Sequence, residues 1–345
     1  MKKLFILTAI LVMVFTSSAF AGWGDKTETI KFMSKDLSGI EDVLNGIENG
    51  KDIEISGKLT IPKQSSEGKI PCMVWMHGSG GISQNSDKRV IPWLNMFHTL
   101  GIATFRINSF KPRGVKNTYK NQNAVNSSEM GVDVYKALDV LSNHERIDKH
   151  RIGIIGASKG GTVSYVTHWK LFYNAMGTSE KFALHVSLYP TAYEFETMEF
   201  TDAPLLVLVG EKDDWTPAKP WPPIIDKMKR AGYTADVIIY EDTYHSFDAT
   251  YNVFTSKDGD SYMDCRYKIL DNGKVFEKTS GLFQGEVGFG NCINTTSGVK
   301  LGYNSKAKKD ARKRVTELVT NVFKLEPITE KVVKKSDNSN TSTDR

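Results

Sequence analysis

Cysteine is scarce in this chain: three among 345 residues, at Cys72, Cys265 and Cys292. That leaves room for a single disulfide, with three possible pairings. No second long apolar run follows the one at the N-terminus, so nothing beyond it is expected to span a membrane. No single charge dominates. The net charge is +5, with Lys and Arg interspersed among Asp and Glu, which argues against a nucleic-acid footprint. There is no H-E-x-x-H, no clustered Cys/His site and no internal repeat, so no metal site is expected.

What is present is an ordinary soluble composition, 40% hydrophobic and 25% charged. The length permits one large domain or two smaller ones with a sizeable core. Lys2 and Lys3 precede an apolar run from Leu4 to Phe15, and small residues end in Ala19-Phe20-Ala21. A basic start, a short apolar core and an A-x-A site predict a secretory signal peptide cut after Ala21. The alternative is an uncleaved anchor, against which the shortness of the run speaks. The chain is therefore expected to be exported, periplasmic or secreted, with no stable membrane insertion after cleavage. Export favours a disulfide. Cys72 sits in an apolar run, as a small buried hydrophobe does. Cys265 and Cys292 flank a loop-rich, Gly-containing segment and are the pair expected to bridge.

Strand-like and helix-like patterns alternate through most of the chain. Strands are expected at 53–61, 70–76, 102–107, 151–156, 182–188, 204–209 and 235–240. Helices are expected at 90–100, 128–142, 160–172, 223–231 and 307–324. That order predicts an α/β protein, a mostly parallel central sheet with helices on both faces. Residues 22–52 are read as an N-terminal lead-in, 53–326 as the main domain, and 248–306 as an insertion before the final helix. Residues 327–345 are a polar tail of disordered composition.

The most specific motif is Gly156-Ala157-Ser158-Lys159-Gly160 at a strand-to-helix junction. This is the G-x-S-x-G nucleophile elbow in its required context. The sharp turn lifts the serine hydroxyl above the sheet, and the following helix points amide N–H groups at a substrate oxygen. A plain strand–helix connection or a phosphate-binding turn is the competing reading. A serine needs a base, and in this arrangement the order is serine, acid, histidine. After the strand at 204–209 come Asp213 and Asp214, and Asp213 is preferred from its place in the motif. After the strand at 235–240 comes His245, the only histidine beyond Asp213. The oxyanion donors are expected to be the Lys159 amide and an amide of His77-Gly78-Ser79-Gly80-Gly81. Ser79 is the first choice there and Gly78 the second. His77 is expected to shape that loop.

With these pieces the sequence resembles the dienelactone hydrolase family of α/β-hydrolases, over roughly residues 53–324. The resemblance rests on 77–81, the run 108–114, 137–151, the elbow 156–161, Tyr189-Pro190, 210–213 and His245-Ser246-Phe247. The segment from Cys265 through Cys292 to Tyr303-Asn304 is similar to exported members. The resemblance implies an α/β-hydrolase fold and ester or lactone cleavage without a cofactor. The family's namesakes use a cysteine nucleophile; Ser158 stands there in this chain, so the substrate is left open.

Arg106 and Arg113 could fork onto a substrate carboxylate or form structural ion pairs. Tyr189, Trp215 and Trp221 could line an acyl pocket or belong to the core. Asn294-Thr295-Thr296 matches a glycosylation acceptor, a frequent chance match. The basic run from Lys306 to Arg314 reads as the solvated face of the last helix. The expected activity is hydrolysis of a small-molecule ester through an acyl-enzyme. A serine peptidase or amidase of the prolyl-oligopeptidase type and a non-catalytic binding protein on the same scaffold are the alternatives. The oligomeric state is left open.

Overall fold

A computed structural model describes residues 25–63 and 65–325. The expected signal segment and the 327–345 tail lie outside the described residues. In chain order the elements are β1 (Lys26–Asp36), α1 (Ile40–Leu44), β2 (Lys51–Ile61), β3 (Ile70–Met76), α2 (Gln84–Thr99) and β4 (Ala103–Asn108). They continue with α3 (Ser127–Ser142), β5 (Ile147–Ala157), α4 (Lys159–Val166), α5 (Lys170–Ala175), β6 (Leu184–Leu188), β7 (Tyr193–Phe195) and β8 (Leu205–Gly210). Last come α6 (Trp221–Arg230), β9 (Ala235–Tyr240), β10 (Phe254–Ser256), β11 (Tyr267–Ile269), β12 (Val275–Glu277), β13 (Leu282–Phe283), β14 (Val299–Leu301) and α7 (Ser305–Val322).

Eight strands form the central sheet in the order β1-β2-β4-β3-β5-β6-β8-β9. The first two pairings are antiparallel and every later one is parallel. This is the expected α/β-hydrolase arrangement. All seven residues of β3 are buried, because helices cover both faces there. The pleat divides them: Cys72, Val74 and Met76 enter one core, Met73 and Trp75 the other. The first core packs under α3, α4 and α6; the second lies under α2 and α7.

Local chemistry sets the helix starts. Ser83 and Ser86 form a reciprocal capping box at α2, and Asn126 with Glu129 does the same at α3. The helix expected at 160–172 is two helices. Thr167 turns its hydroxyl back to Val163 O, and Trp169 pairs with Phe200 as an isolated bridge, which ends α4 before α5 begins.

The reading of 22–52 as a lead-in is corrected. Residues 26–36 form β1, paired with β2 along its whole length. Ile30, Phe32 and Ser34 alternate toward the protein, a half-buried edge-strand pattern. The 248–306 segment, read as an insertion, has strands of its own. β11, β12 and β13 join β7, which comes between β6 and β8 along the chain only, in a four-stranded sheet; β10 and β14 form a separate ribbon. The bridge Cys265–Cys292 closes part of it, as expected.

Candidate active site

Ser158 connects β5 to α4 with φ 55° and ψ −121°, a left-handed conformation that a non-glycine residue adopts at a cost. The surroundings hold it there. A Cβ on Gly156 would lie 2.1 Å from Gly160 O, and one on Gly160 would lie 2.2 Å from Met76 O. Strand and helix thus approach so closely that only glycine fits at either position. The backbone of Gly78 packs against the same turn, since its Cβ would meet Ala157 O at 2.8 Å.

Asp213 follows β8 and His245 follows β9, so both arrive beside Ser158 at the carboxyl ends of neighbouring parallel strands. His245 Nε2 is 3.0 Å from Ser158 Oγ, and His245 Nδ1 is 2.7 Å from Asp213 Oδ2. Asp213 is fully buried, and its other oxygen accepts the amides of Trp215 and Thr216 at 3.0 and 2.8 Å. Those bonds fix the direction of the carboxyl group. A carboxylate only accepts, so Nδ1 bears the imidazole proton and the Nε2 lone pair faces the Ser158 hydroxyl. Asp214 points elsewhere: its carboxylate accepts from Lys300 N at 2.9 Å.

The loop at 77–81 lies across the elbow. His77 is buried, donates from Nδ1 to Gly78 O at 2.9 Å and accepts at Nε2 from Ser109 N at 3.3 Å. Burial lowers its pKa to about 4, so it stays neutral and shapes the loop. Ser79 donates from Oγ to Gln122 Oε1 at 3.0 Å. Lys159 opens α4, and its amide is among the first-turn donors that a helix leaves without an internal partner. Its side chain is buried and donates from Nζ to Gln122 O at 2.5 Å and Val125 O at 2.7 Å. Desolvation lowers its pKa to about 7, against the opposing field of Glu129.

Two cavities open on Ser158 and share Ser79 and Trp215 as walls. The larger, about 190 Å³, is lined by Gln122, Thr162, Thr216 and the insertion-sheet tyrosines Tyr193 and Tyr267. The smaller, about 110 Å³, lies on the His245 side and contains Arg89, Tyr119 and Tyr251. Among the described residues, no group of three His, Cys, Asp or Glu side chains is placed to hold a metal ion.

The structure brings together six of the expected site residues: Ser158, Asp213, His245, Ser79, Lys159 and Trp215, whose ring lies 5.0 Å from that of His245. Two expectations are corrected. Arg113 does not reach the site; its guanidinium is locked onto Asp36 at 2.7 Å and bidentately onto Asp133 at 2.8 and 3.2 Å. Tyr189 is fully buried behind the site. Its ring meets His245 edge-on at 4.7 Å, and its hydroxyl donates to Asp248 at 2.7 Å. Trp221 is a core residue. Arg106 pairs with Asp87 at 2.5 Å.

Sequence reading missed three residues that the site contains. Thr216 places its hydroxyl 3.1 Å from both Asp213 Oδ2 and His245 Nδ1. Gln122 joins Ser79 to Lys159. Among the described residues, Arg89 makes one hydrogen bond, to Ser246 Oγ at 3.4 Å, and its buried Nε has no partner. Only Thr216 left a local signal, two residues after the Asp213-Asp214 pair.

The dienelactone hydrolase family model matches residues 111–323, more than half of the chain. The chain belongs to the dienelactone hydrolase family. As a member of that family it is a hydrolase. No curated protein matches it. Among solved structures, it is similar to Thermogutta terrifontis esterase 2 phosphoramylated by tabun, with TM-score 0.52 and 13% identity over 82% of this chain and 94% of that one. It is similar to a provisionally named dienelactone hydrolase from Klebsiella pneumoniae, with TM-score 0.51 and 13% identity over 85% and 98% of the two chains. A third is the dienelactone hydrolase-like promiscuous phosphotriesterase P91 from metagenomic libraries, with TM-score 0.50, 13% identity, and 86% and 98% coverage. These likenesses show the α/β-hydrolase fold over more than four fifths of the chain.

Proposed function

We propose that the protein is a serine hydrolase that cleaves a carboxylic ester or lactone through an acyl-enzyme. The unbroken hydrogen-bond chain from Asp213 through His245 to Ser158 carries the reading. His245 Nε2 accepts the Ser158 proton as Oγ attacks the ester carbonyl carbon. The oxyanion forms against the Ser79 and Lys159 amides. His245 returns the proton to the leaving alcohol, the C–O bond breaks, and the acyl group stays on Oγ. Water then gives a proton to His245 and attacks the acyl carbon; the bond to Oγ breaks, His245 returns that proton to Oγ, and the acid leaves. Asp213, held by the Trp215 and Thr216 amides, orients the ring and stabilises its cation. That one neighbour in fold is an esterase caught with a phosphorus adduct accords with the same chemistry.

The leaving alcohol takes its proton from His245, so it belongs in the smaller cavity, and the acyl group in the larger. Arg89 suits a negatively charged substituent on the alcohol side. The basic-then-apolar N-terminus and the single disulfide support export. Turnover of a p-nitrophenyl ester series, and of alkyl esters with and without a carboxylate on the alcohol, tests the reading. Ser158→Ala is expected to lower kcat by on the order of 10⁴-fold or more. A folded Ser158→Ala protein that keeps wild-type turnover would overturn it.

A further inference from the structure

The two proposed oxyanion donors come from different parts of the chain, 80 residues apart in numbering, and something must hold them in register. The 77–81 loop is rich in glycine, and its first residue is fixed by the side chain of His77, which accepts from Ser109 N and packs edge-on against Phe110 at 4.3 Å. Ser79 is held from another side, by the segment 118–125. Thr118 N donates to Ser79 O at 2.8 Å. Gln122 Oε1 accepts from Ser79 Oγ at 3.0 Å and lies 3.4 Å from Thr118 Oγ1. Residues 122–125 are a single 3₁₀ turn, too short to be rigid alone.

Lys159 Nζ reaches that turn from below and bonds its first and last carbonyls, those of Gln122 and Val125. A lysine carries a large rotamer entropy and a charge that is costly to bury, and residues placed mid-fold for packing alone are apolar. Here the amine spans the turn, and among the described residues no carboxylate pairs with it directly. The residue whose amide is one donor thus ends, four methylenes away, on the segment that holds the other.

We propose that Lys159 is a positioning residue for the oxyanion site: its side chain pins the 122–125 turn, and through Gln122 the turn sets the place of Ser79. The inference rests on the serine-esterase reading above. It assigns no proton transfer to the amine, and either protonation state has enough N–H groups for the two carbonyls.

The test uses the full chain and three variants, Lys159→Met, Gln122→Met and the double variant. Turnover of p-nitrophenyl acetate is referred to the sites titrated by a diethyl phosphoryl reagent, so that misfolded protein does not count. Each single variant is expected to lose ten- to a hundredfold in kcat, less than the loss of an oxyanion donor itself, with KM within about threefold. The double variant is expected to be no slower than the slower single one, because both cut the same linkage. Single variants within twofold of wild-type kcat would overturn the proposal, and so would losses that multiply in the double variant. Where Lys159→Met does not fold, Gln122→Met decides, since it leaves the buried amine in place: a kcat loss supports the linkage, and wild-type kcat overturns it. Failure of the serine reading shows separately, as a Ser158→Ala protein that still turns over.

Discussion

At the scale of single residues, the site joins strain to electrostatics. Ser158 stays in a left-handed conformation because the helix, the β3 carbonyls and the 77–81 loop close on it from three sides. Beneath it, Lys159 keeps an amine where water does not reach. The sign of its effect follows from linkage. Its pKa is about 7 in the folded chain against an ordinary value of 10.5, so between those values the unfolded chain holds a proton that the folded chain lacks. This contribution to stability therefore rises with pH from 7 to 10.5, by at most about 1.4 kcal/mol per pH unit, and is flat above. Urea midpoints of wild type and Lys159→Met, measured from pH 6.5 to 10, should show wild type gaining on the variant as pH rises. A constant difference would mean that the amine titrates normally. The meeting of Ser158, Asp213 and His245 follows from each sitting just past a strand of the same parallel sheet, where order along the chain becomes position in space. The places of Arg113 and Tyr189 were not legible in the sequence. Arg113 meets Asp36 across 77 positions and Tyr189 meets Asp248 across 59, contacts that no local pattern announces.

At the scale of elements, the insertion behaves as a roof clamped at several points. β11 lies parallel to β7, Ser261 Oγ donates to Asp214 O at 2.7 Å, and Leu301 pairs with His245. Its strands are only two or three residues long, so their own ladders contribute little. The 27-residue Cys265–Cys292 span makes up for this, with a chain-entropy contribution of about 3.5 kcal/mol. A Cys265→Ser/Cys292→Ser variant should lose amide protection first over residues 254–301, with the central sheet still protected, and its melting temperature should fall. Unchanged exchange in that stretch would show the roof to be held by its strands alone. That the 248–306 segment departs from the strand–helix alternation was readable from its Gly-rich, polar composition. Its pairing with β7 was not, because β7 is three residues long and its partner lies 74 positions away. β1 could have been read from its alternation of apolar and polar residues.

At the scale of the whole molecule, Arg113 ties the edge strand β1 to helix α3. It binds Asp36 and Asp133, lies 3.6 Å from Glu129, and donates to the carbonyls of Lys35 and Ser109. Ser34 Oγ completes the cluster on Asp133 at 2.5 Å. Arg113→Met would leave a fully buried Asp133 without its cation, at a cost of about 3–5 kcal/mol. Urea unfolding should register that loss, while kcat/KM per folded molecule stays at the wild-type value. A fall in kcat/KM alone would return Arg113 to the substrate.

The attachment of residues 261–304 to the loops of Asp213 and His245 also bears on the order in which the chain is made. Lys300 N holds Asp214, Gly302 N holds His245 O, and Asn304 Nδ2 holds Thr243. Ser158 and its glycine shell are synthesised well before these residues. A chain growing from its N-terminus therefore makes Ser158 and its turn early, and the residues that hold the loops of Asp214 and His245 only in its final quarter.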